Sequence, residues 1–212
     1  GRFHAGTVSD DGREVTPLLV ERDADAMLVL IRRLVAGVGL PTPCGARLPL
    51  DAVTLGAPIG LPFRNLLCAG RNYRSHAAEL ATTVFREAVE KNDGWPIIFT
   101  KLPETVIGPF DAVRMPPRSV TEEIDYESEL AVIIGRGGRD ISRSQAMQHV
   151  FGYTVVNDVS ARDVQVRHQQ WMLGKSFDTF CPLGPWIDTD FDPSDAVIRT
   201  ELIGLDGQTT VK

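Results

Sequence analysis

Basic runs are missing from this sequence. Its 22 Lys and Arg are scattered among 28 Asp and Glu, a formal net charge of −6. A nucleic-acid or anionic-membrane surface needs clustered positive charge, so both partners are disfavoured. No apolar stretch approaches the roughly 20 residues that span a bilayer. The opening Gly1-Arg2-Phe3-His4 lacks the apolar core of a signal peptide. Cysteine is scarce: Cys44, Cys68 and Cys181 are far apart and form no C-x-x-C pair. Three such thiols make neither a closed disulfide framework nor a zinc cluster, and reduced cysteines in a cytoplasmic protein are the expectation. Internal repeats and low-complexity segments are also lacking. What is present is ordinary for a globular chain: 43% hydrophobic and 24% charged residues in 212, ample for a buried core.

Residues 1–60 read as a small N-terminal domain and linker, and 61–212 as the main domain. Asp23 to Val38 has acidic residues at its start, an apolar body and Arg32-Arg33 near its end, the charge polarity of a helix, with Gly37 or Gly39 as its stop. Leu40 to Leu61 is rich in Pro and Gly and reads as the linker. Beyond it, Asn65–Ala69, Ile97–Thr100, Leu130–Ile134 and Tyr153–Val156 are expected strands. Tyr73–Lys91, Ser142–Val150 and Ser160–Gln169 are expected helices, the last capped by Ser160 with Asp163 three residues on. Short strands outnumber helices, which predicts a β-rich α+β fold. Val197–Leu205 predicts a strand and Asp206-Gly207 a two-residue hairpin turn. The return strand is expected to continue beyond Lys212, so the sequence is read as truncated there.

The strongest local signal is Ile124-Asp125-Tyr126-Glu127-Ser128-Glu129-Leu130-Ala131-Val132-Ile133-Ile134. Alternation with period two puts Ile124, Tyr126, Leu130, Val132 and Ile134 on one face and Asp125, Glu127 and Glu129 on the other. Same-face neighbours lie roughly 7 Å apart, at about 3.3 Å of rise per residue. Carboxylates at that spacing repel unless a cation bridges them or water screens them, so a solvated edge-strand face is the plain alternative. Asp158, after the strand Tyr153–Val156, adds a third candidate at a strand end. Glu127, Glu129 and Asp158 would make an all-oxygen site, which suits Mg²⁺ or Mn²⁺ better than zinc.

Other residues are suggestive singly. His76 and Glu79, three apart, would face each other on a helix, where the carboxylate raises the basicity of the imidazole. That pairing suits a general base, and equally an ordinary surface pair. Lys175, in Gly174-Lys175-Ser176-Phe177-Asp178, is placed either near a cleft or on a surface loop. Gly135-Arg136-Gly137-Gly138 lacks the spacing of a phosphate loop and reads as a turn. His4, His149 and His168 read as structural or exposed.

In order along the chain, the motifs are Cys68-Ala69-Gly70-Arg71-Asn72-Tyr73 with His76-x-x-Glu79, Phe99-Thr100-Lys101, Ile107-Gly108-Pro109 and Asp125-Tyr126-Glu127-Ser128-Glu129-Leu130. Gly152-Tyr153-Thr154, Asn157-Asp158-Val159-Ser160-Ala161-Arg162-Asp163 and Gly174-Lys175-Ser176-Phe177-Asp178 follow. From about Pro58 to Lys212 this series resembles the fumarylacetoacetate hydrolase family, in its bacterial acylpyruvate and 2,4-dioxo-acid branch. The resemblance implies a mixed β-sandwich roll, often dimeric, behind a small variable N-terminal domain. It implies Mg²⁺ or Mn²⁺ on Glu127, Glu129 and Asp158, a His–Glu dyad at His76 and Glu79, and a substrate-facing Lys175. Arg162 and Gln165 match positions that contact substrate in some members. Members continue past the point matching Lys212 into a Gly-Thr-Pro-like loop that completes the pocket.

The activity so implied is hydrolysis of a carbon–carbon bond in an acylpyruvate, giving pyruvate and a carboxylic acid. In that scheme His76 activates water, while the metal and Lys175 stabilise the departing pyruvate enolate. Oxaloacetate decarboxylation or isomerisation of a related oxo-acid is the alternative, needing the same enolate but no attacking water. A non-catalytic module holding a structural ion is the remaining one.

Overall fold

The structure, a computed structural model, describes residues 4–20, 26–70, 72, 95–168 and 170–211. It is a mixture of helix and sheet in which strands predominate. Strands β1 (Gly6–Val8) and β2 (Glu14–Pro17) form an antiparallel hairpin, and β3 (Leu48–Pro49) pairs with β2 through Glu14↔Pro49 and Val15↔Leu48. Helix α1 (Ala26–Val35) covers them, and Ala5, Leu18 and Leu30 form a buried cluster with Val20, Ala26, Met27 and Leu34 around it. The helix stops as expected at Gly37. With φ of +74°, this glycine lets its own N–H reach Leu34 O and that of Val38 reach Arg33 O, satisfying carbonyls the helix end leaves open. The segment Leu40–Leu61 is not a bare linker. It supplies β3, a 3₁₀ turn at Leu50–Ala52, and a hydrogen bond from Cys44 N to Pro17 O at 2.9 Å. Proline suits it to this edge position, where one side of the backbone needs no partner.

Strands β4 (Leu66–Gly70) and β5 (Ile97–Lys101) pair antiparallel, Leu66↔Lys101 through Gly70↔Ile97. The helix expected over Tyr73–Lys91, with His76 and Glu79, lies outside the described residues. Then follow β6 (Val106–Ile107), β7 (Ile124–Asp125), β8 (Ser128–Ile134), β9 (Val150–Asn157), β10 (Ser160–Ala161) and β11 (Cys181–Asp188). Four of them make a sheet in the order β6-β11-β9-β8, parallel only between β6 and β11. Helices α2 (Arg162–His168) and α3 (Trp171–Lys175) lie between β10 and β11. A second buried cluster, Val159, Ala161, Val164 and Phe180, anchors this region with Val113, Ile124 and Phe177 against it.

Several expectations need correction. Ser142–Val150 is not a helix: turns lead to a short 3₁₀ segment, Ala146–His149, before β9 begins. Ser160 does not cap a helix either. It belongs to β10, its hydroxyl donating to Asp158 O at 2.9 Å, and α2 starts at Arg162. Asp163 instead accepts from Thr121 Oγ1 at 2.5 Å and Glu122 N at 3.2 Å, fastening the loop before β7. Val132 and Ile134 share a strand face as predicted, yet they are 48% and 60% exposed. Alternation tells which residues share a face and not whether that face is covered. At the end of the chain, β12 (Glu201–Ile203) and β13 (Thr209–Val211) form the expected hairpin. Its connection is longer than two residues: Gly204 and Gln208 close it, and Gly207 takes the positive φ of a bulged turn.

Candidate functional site

The pairs Ser160↔Asp125 and Ser128↔Asn157 share one register, so β7–β10 and β8–β9 are parts of one antiparallel ladder. It is interrupted at Tyr126–Glu127. There the N–H of Tyr126 donates to Asp125 Oδ1 at 3.0 Å and that of Glu127 to Asn157 Oδ1 at 3.0 Å. Side chains thus replace backbone partners, which keeps the interruption from leaving unpaired amides. Asp158 N still donates to Glu127 O at 2.8 Å, setting these two residues opposite each other. Glu129, in β8, pairs with Val156.

Two buried lysines meet these carboxylates. Lys175, 2% exposed, donates to Glu127 Oε2 at 2.7 Å and to Asp158 Oδ2 at 2.8 Å. Lys101, 1% exposed, lies 2.8 Å from Asp158 Oδ1 and donates to the backbone carbonyls of Val159, at 3.1 Å, and Lys175. Arg162 completes the cluster. Its guanidinium is 2.5 Å from Glu127 Oε1 and 2.7 Å from Asp125 Oδ2, and it donates to Gln165 Oε1 at 3.1 Å. Phe99 presents its ring 4.9 Å from Lys175 Nζ and packs against Trp171.

Two glycines make these approaches possible. A Cβ on Gly174 would fall 2.7 Å from Ala161 O and 2.8 Å from Gln165 N, so only glycine lets α3 lie this close to β10 and α2. A Cβ on Gly70 would fall 2.5 Å from the Trp171 ring.

The charges set one another. Burial pushes the Asp158 carboxyl up, but the Lys101 and Lys175 ammoniums outweigh it and hold the group below its ordinary value. Burial lowers Arg162, and Glu127 and Asp125 more than restore it. Two thiols border the cluster: burial, then Asp158, pushes Cys68 up to about 12, and burial pushes Cys181 to about 11. Both are therefore thiols rather than nucleophiles near neutral pH.

Of the residues singled out from sequence, Glu127, Asp158, Lys175, Arg162 and Gln165 are brought together. Lys175 is not on a surface loop but at the C-terminal end of α3. His76 and Glu79 fall outside the described residues. Sequence reasoning missed Lys101 and Asp125 as members of the site. Asp125 was visible on the face of Glu127. For Lys101 the available signals were its place in the Phe99-Thr100-Lys101 motif and its rarity, since the chain has only four lysines, Lys91, Lys101, Lys175 and Lys212. A cavity of about 450 Å³ lined by Met115, Pro116, Arg118, Thr121, Glu122 and Ile124 adjoins β7, but none of the clustered charges lines it.

The donor chemistry suits a hard divalent ion. Glu127, Glu129 and Asp158 offer only oxygen, and Asp158 Oδ1, though ion-paired to Lys101, is buried without a well-aligned hydrogen bond. As they stand, no three His, Cys, Asp or Glu side chains converge on one point among the described residues. Glu127 and Asp158 converge on Lys175 instead.

Residues 65–211 match the family described as Fumarylacetoacetate (FAA) hydrolase C-terminal. The chain is 49% identical over 136 residues to oxaloacetate tautomerase YisK of Bacillus subtilis (strain 168), a match covering 64% of this chain and 43% of that protein. It is 45% identical over 167 residues to the mitochondrial oxaloacetate tautomerase FAHD2A of Homo sapiens, covering 78% and 48%. The solved 2-hydroxyhepta-2,4-diene-1,7-dioate isomerase of Mycobacterium marinum superposes with a TM-score of 0.65 at 31% identity, covering 90% of this chain and 62% of that one. This chain belongs to the fumarylacetoacetate hydrolase family and has its fold. It spans about half the length of the curated relatives it matches.

Proposed function

We propose that this chain carries the carboxylate and lysine portion of an oxo-acid tautomerase, with oxaloacetate as substrate. Tautomerisation breaks the enol O–H bond, forms a C–H bond at C3 and turns the C2=C3 double bond into a C2=O carbonyl. Between the two forms lies an enolate with negative charge on the C2 oxygen. A Mg²⁺ or Mn²⁺ on Glu127, Glu129 and Asp158 would supply positive charge for the 2-oxo acid end of the substrate. Lys175 faces that developing oxyanion. Burial strengthens its field, and its ammonium is already oriented by Glu127, Asp158 and the Phe99 ring. Arg162 and Gln165 are proposed to contact substrate; Arg162 also holds Glu127, and Gln165 holds Arg162. His76, with Glu79, is the proposed proton carrier. The division into an N-terminal unit, 1–60, and a catalytic unit, 61–212, is likewise proposed, and two separate buried clusters support it.

The observation that carries this reading is the buried Lys175 ammonium between two carboxylates, at 2.7 and 2.8 Å. A structural ion site has no use for such a lysine. The relatives' names support tautomerisation over hydrolysis. The test is the decay of enol-oxaloacetate absorbance with Mg²⁺ or Mn²⁺, run beside acylpyruvate cleavage and release of CO₂. Accelerated enol decay, lost in Glu127→Ala together with the Mn²⁺-induced rise in Tm, is expected. Cleavage of acylpyruvate with no effect on enol decay would restore the hydrolase reading, and CO₂ release alone would make the protein a decarboxylase.

A further inference from the structure

Of the chain's 22 cationic residues only four are lysines, and two of those four are buried to 1% and 2% exposure on either side of Asp158. An arginine-rich chain has therefore placed lysine at the two points where a compact ammonium, rather than a planar fork, fits among oxygens. The two lysines are not equivalent. Lys101 Nζ donates to Val159 O at 3.1 Å and to Lys175 O, and is ion-paired to Asp158 Oδ1 at 2.8 Å. Two of its partners are backbone atoms, and they belong to segments 58 and 74 residues away in the chain. Beside it, Leu102 N donates to Ser176 Oγ at 3.2 Å, so the end of β5 grips the end of α3 twice. Lys175 Nζ, by contrast, donates to two carboxylate oxygens and meets the face of an aromatic ring.

We infer that Lys101 is a positioning residue that locks the Asp158 carboxylate and the main chain of Lys175, leaving Lys175 as the lysine that reorganises toward an oxyanion. The inference rests on the tautomerase reading only for the identity of that oxyanion. With Lys101 compensating the Asp158 charge, Lys175 can turn part of its ammonium to a substrate without stranding a buried carboxylate. Without Lys101, the end of α3 loses its tie to β5, and Lys175 loses its fixed starting point.

The test uses the full chain and an acetylating N-hydroxysuccinimide ester, with each of the four lysines quantified by mass spectrometry. In the wild type, Lys101 should acetylate at least about tenfold more slowly than Lys175, because its ammonium is tied to two backbone carbonyls whereas that of Lys175 is held by side chains alone. In Lys101→Met, Lys175 should acetylate at least tenfold faster than in the wild type. Lys101→Arg, which keeps the charge but not the tetrahedral geometry, should not restore protection. In the tautomerase assay Lys101→Met should lower kcat about 10- to 100-fold, the usual loss when a supporting partner of a site is removed, with KM changed less than threefold. Equal acetylation of Lys101 and Lys175 in the wild type would overturn the inference even if Lys101→Met failed to fold. So would an unchanged Lys175 rate in a folded Lys101→Met, full protection by arginine, or a loss confined to KM. Wild-type protein inactive on enol-oxaloacetate but with the expected acetylation pattern would overturn the tautomerase reading and leave the positioning role standing.

Discussion

Replacing Asp158 with Asn tests the electrostatic core of the site. Asp158 is 5% exposed, with Lys101 Nζ 2.8 Å from one oxygen and Lys175 Nζ 2.8 Å from the other. Asparagine keeps the shape but removes the charge and turns an amide donor toward one of two buried ammoniums. Removing one partner of a buried ion pair costs about 3–5 kcal/mol, because the remaining charge stays buried without compensation. For a chain of this length that corresponds to a fall in Tm of about 6–20 °C. A surface contrast is at hand: Arg47 and Glu14 pair at 3.2 Å with side chains 64% and 44% exposed, and Arg47→Ala should cost no more than about 1 kcal/mol. The pH dependence carries a definite sign. The folded-state pKa of Asp158 lies below its ordinary 3.8, so its contribution is fully present above about pH 4 and is lost as pH falls through the folded value. The stability gap between wild type and Asp158→Asn, read from urea melts, should therefore be constant from pH 5 to 7 and narrow below pH 4. A gap under 1 kcal/mol at pH 7, or one that widens on acidification, would refute the arrangement of charges described above.

Two other perturbations follow from the packing and the thiols. Gly174→Ala should destabilise by about 1–3 kcal/mol, since its methyl would sit within 2.8 Å of two backbone atoms. A gain of about 1 kcal/mol in a thermal melt, the ordinary benefit of alanine over glycine inside a helix, would show that α3 does not approach β10 so closely. At pH 8, exposed Cys44 should react with a thiol reagent roughly 100-fold faster than Cys68 or Cys181, whose pKa values are pushed to about 12 and 11. Cys68 labelling as fast as Cys44 in the folded chain would contradict its burial.

How much of the site could be read in advance depended on sequence distance. Asp125, Glu127 and Glu129 lie within five residues, and period-two alternation by itself predicts one face for them. Asp158 was recognisable because it ends a strong apolar run, and the two segments pair directly, Ser128 with Asn157. The interruption at Tyr126–Glu127 was not recognisable. It depends on Asn157 and Asp125 side chains taking over backbone amides, a choice made between strands. The body and the stop of helix α1 were legible because the apolar run, Arg32-Arg33 and Gly37 are local; its expected acidic start, Asp23 and Asp25, lies outside the described residues. Strand β11 escaped notice, since Cys181–Asp188 contains two prolines and a glycine and is held by β6 and β9 rather than by its own propensity.

The sequence by itself determined the strand alternation that groups the acidic residues, the glycine at the end of α1, the hairpin near Asp206-Gly207 and the motif series that marks the family. Only the tertiary structure decided that Lys101 and Lys175, 74 residues apart, meet at one carboxylate. It also decided that Arg162 joins the cluster through Asp125 and Glu127. The physical reason is range. Alternation, capping and turn formation are settled within a few residues by backbone geometry. The pairing of buried charges is settled by which segments the fold brings into one low-dielectric space, where no charge can remain without a partner.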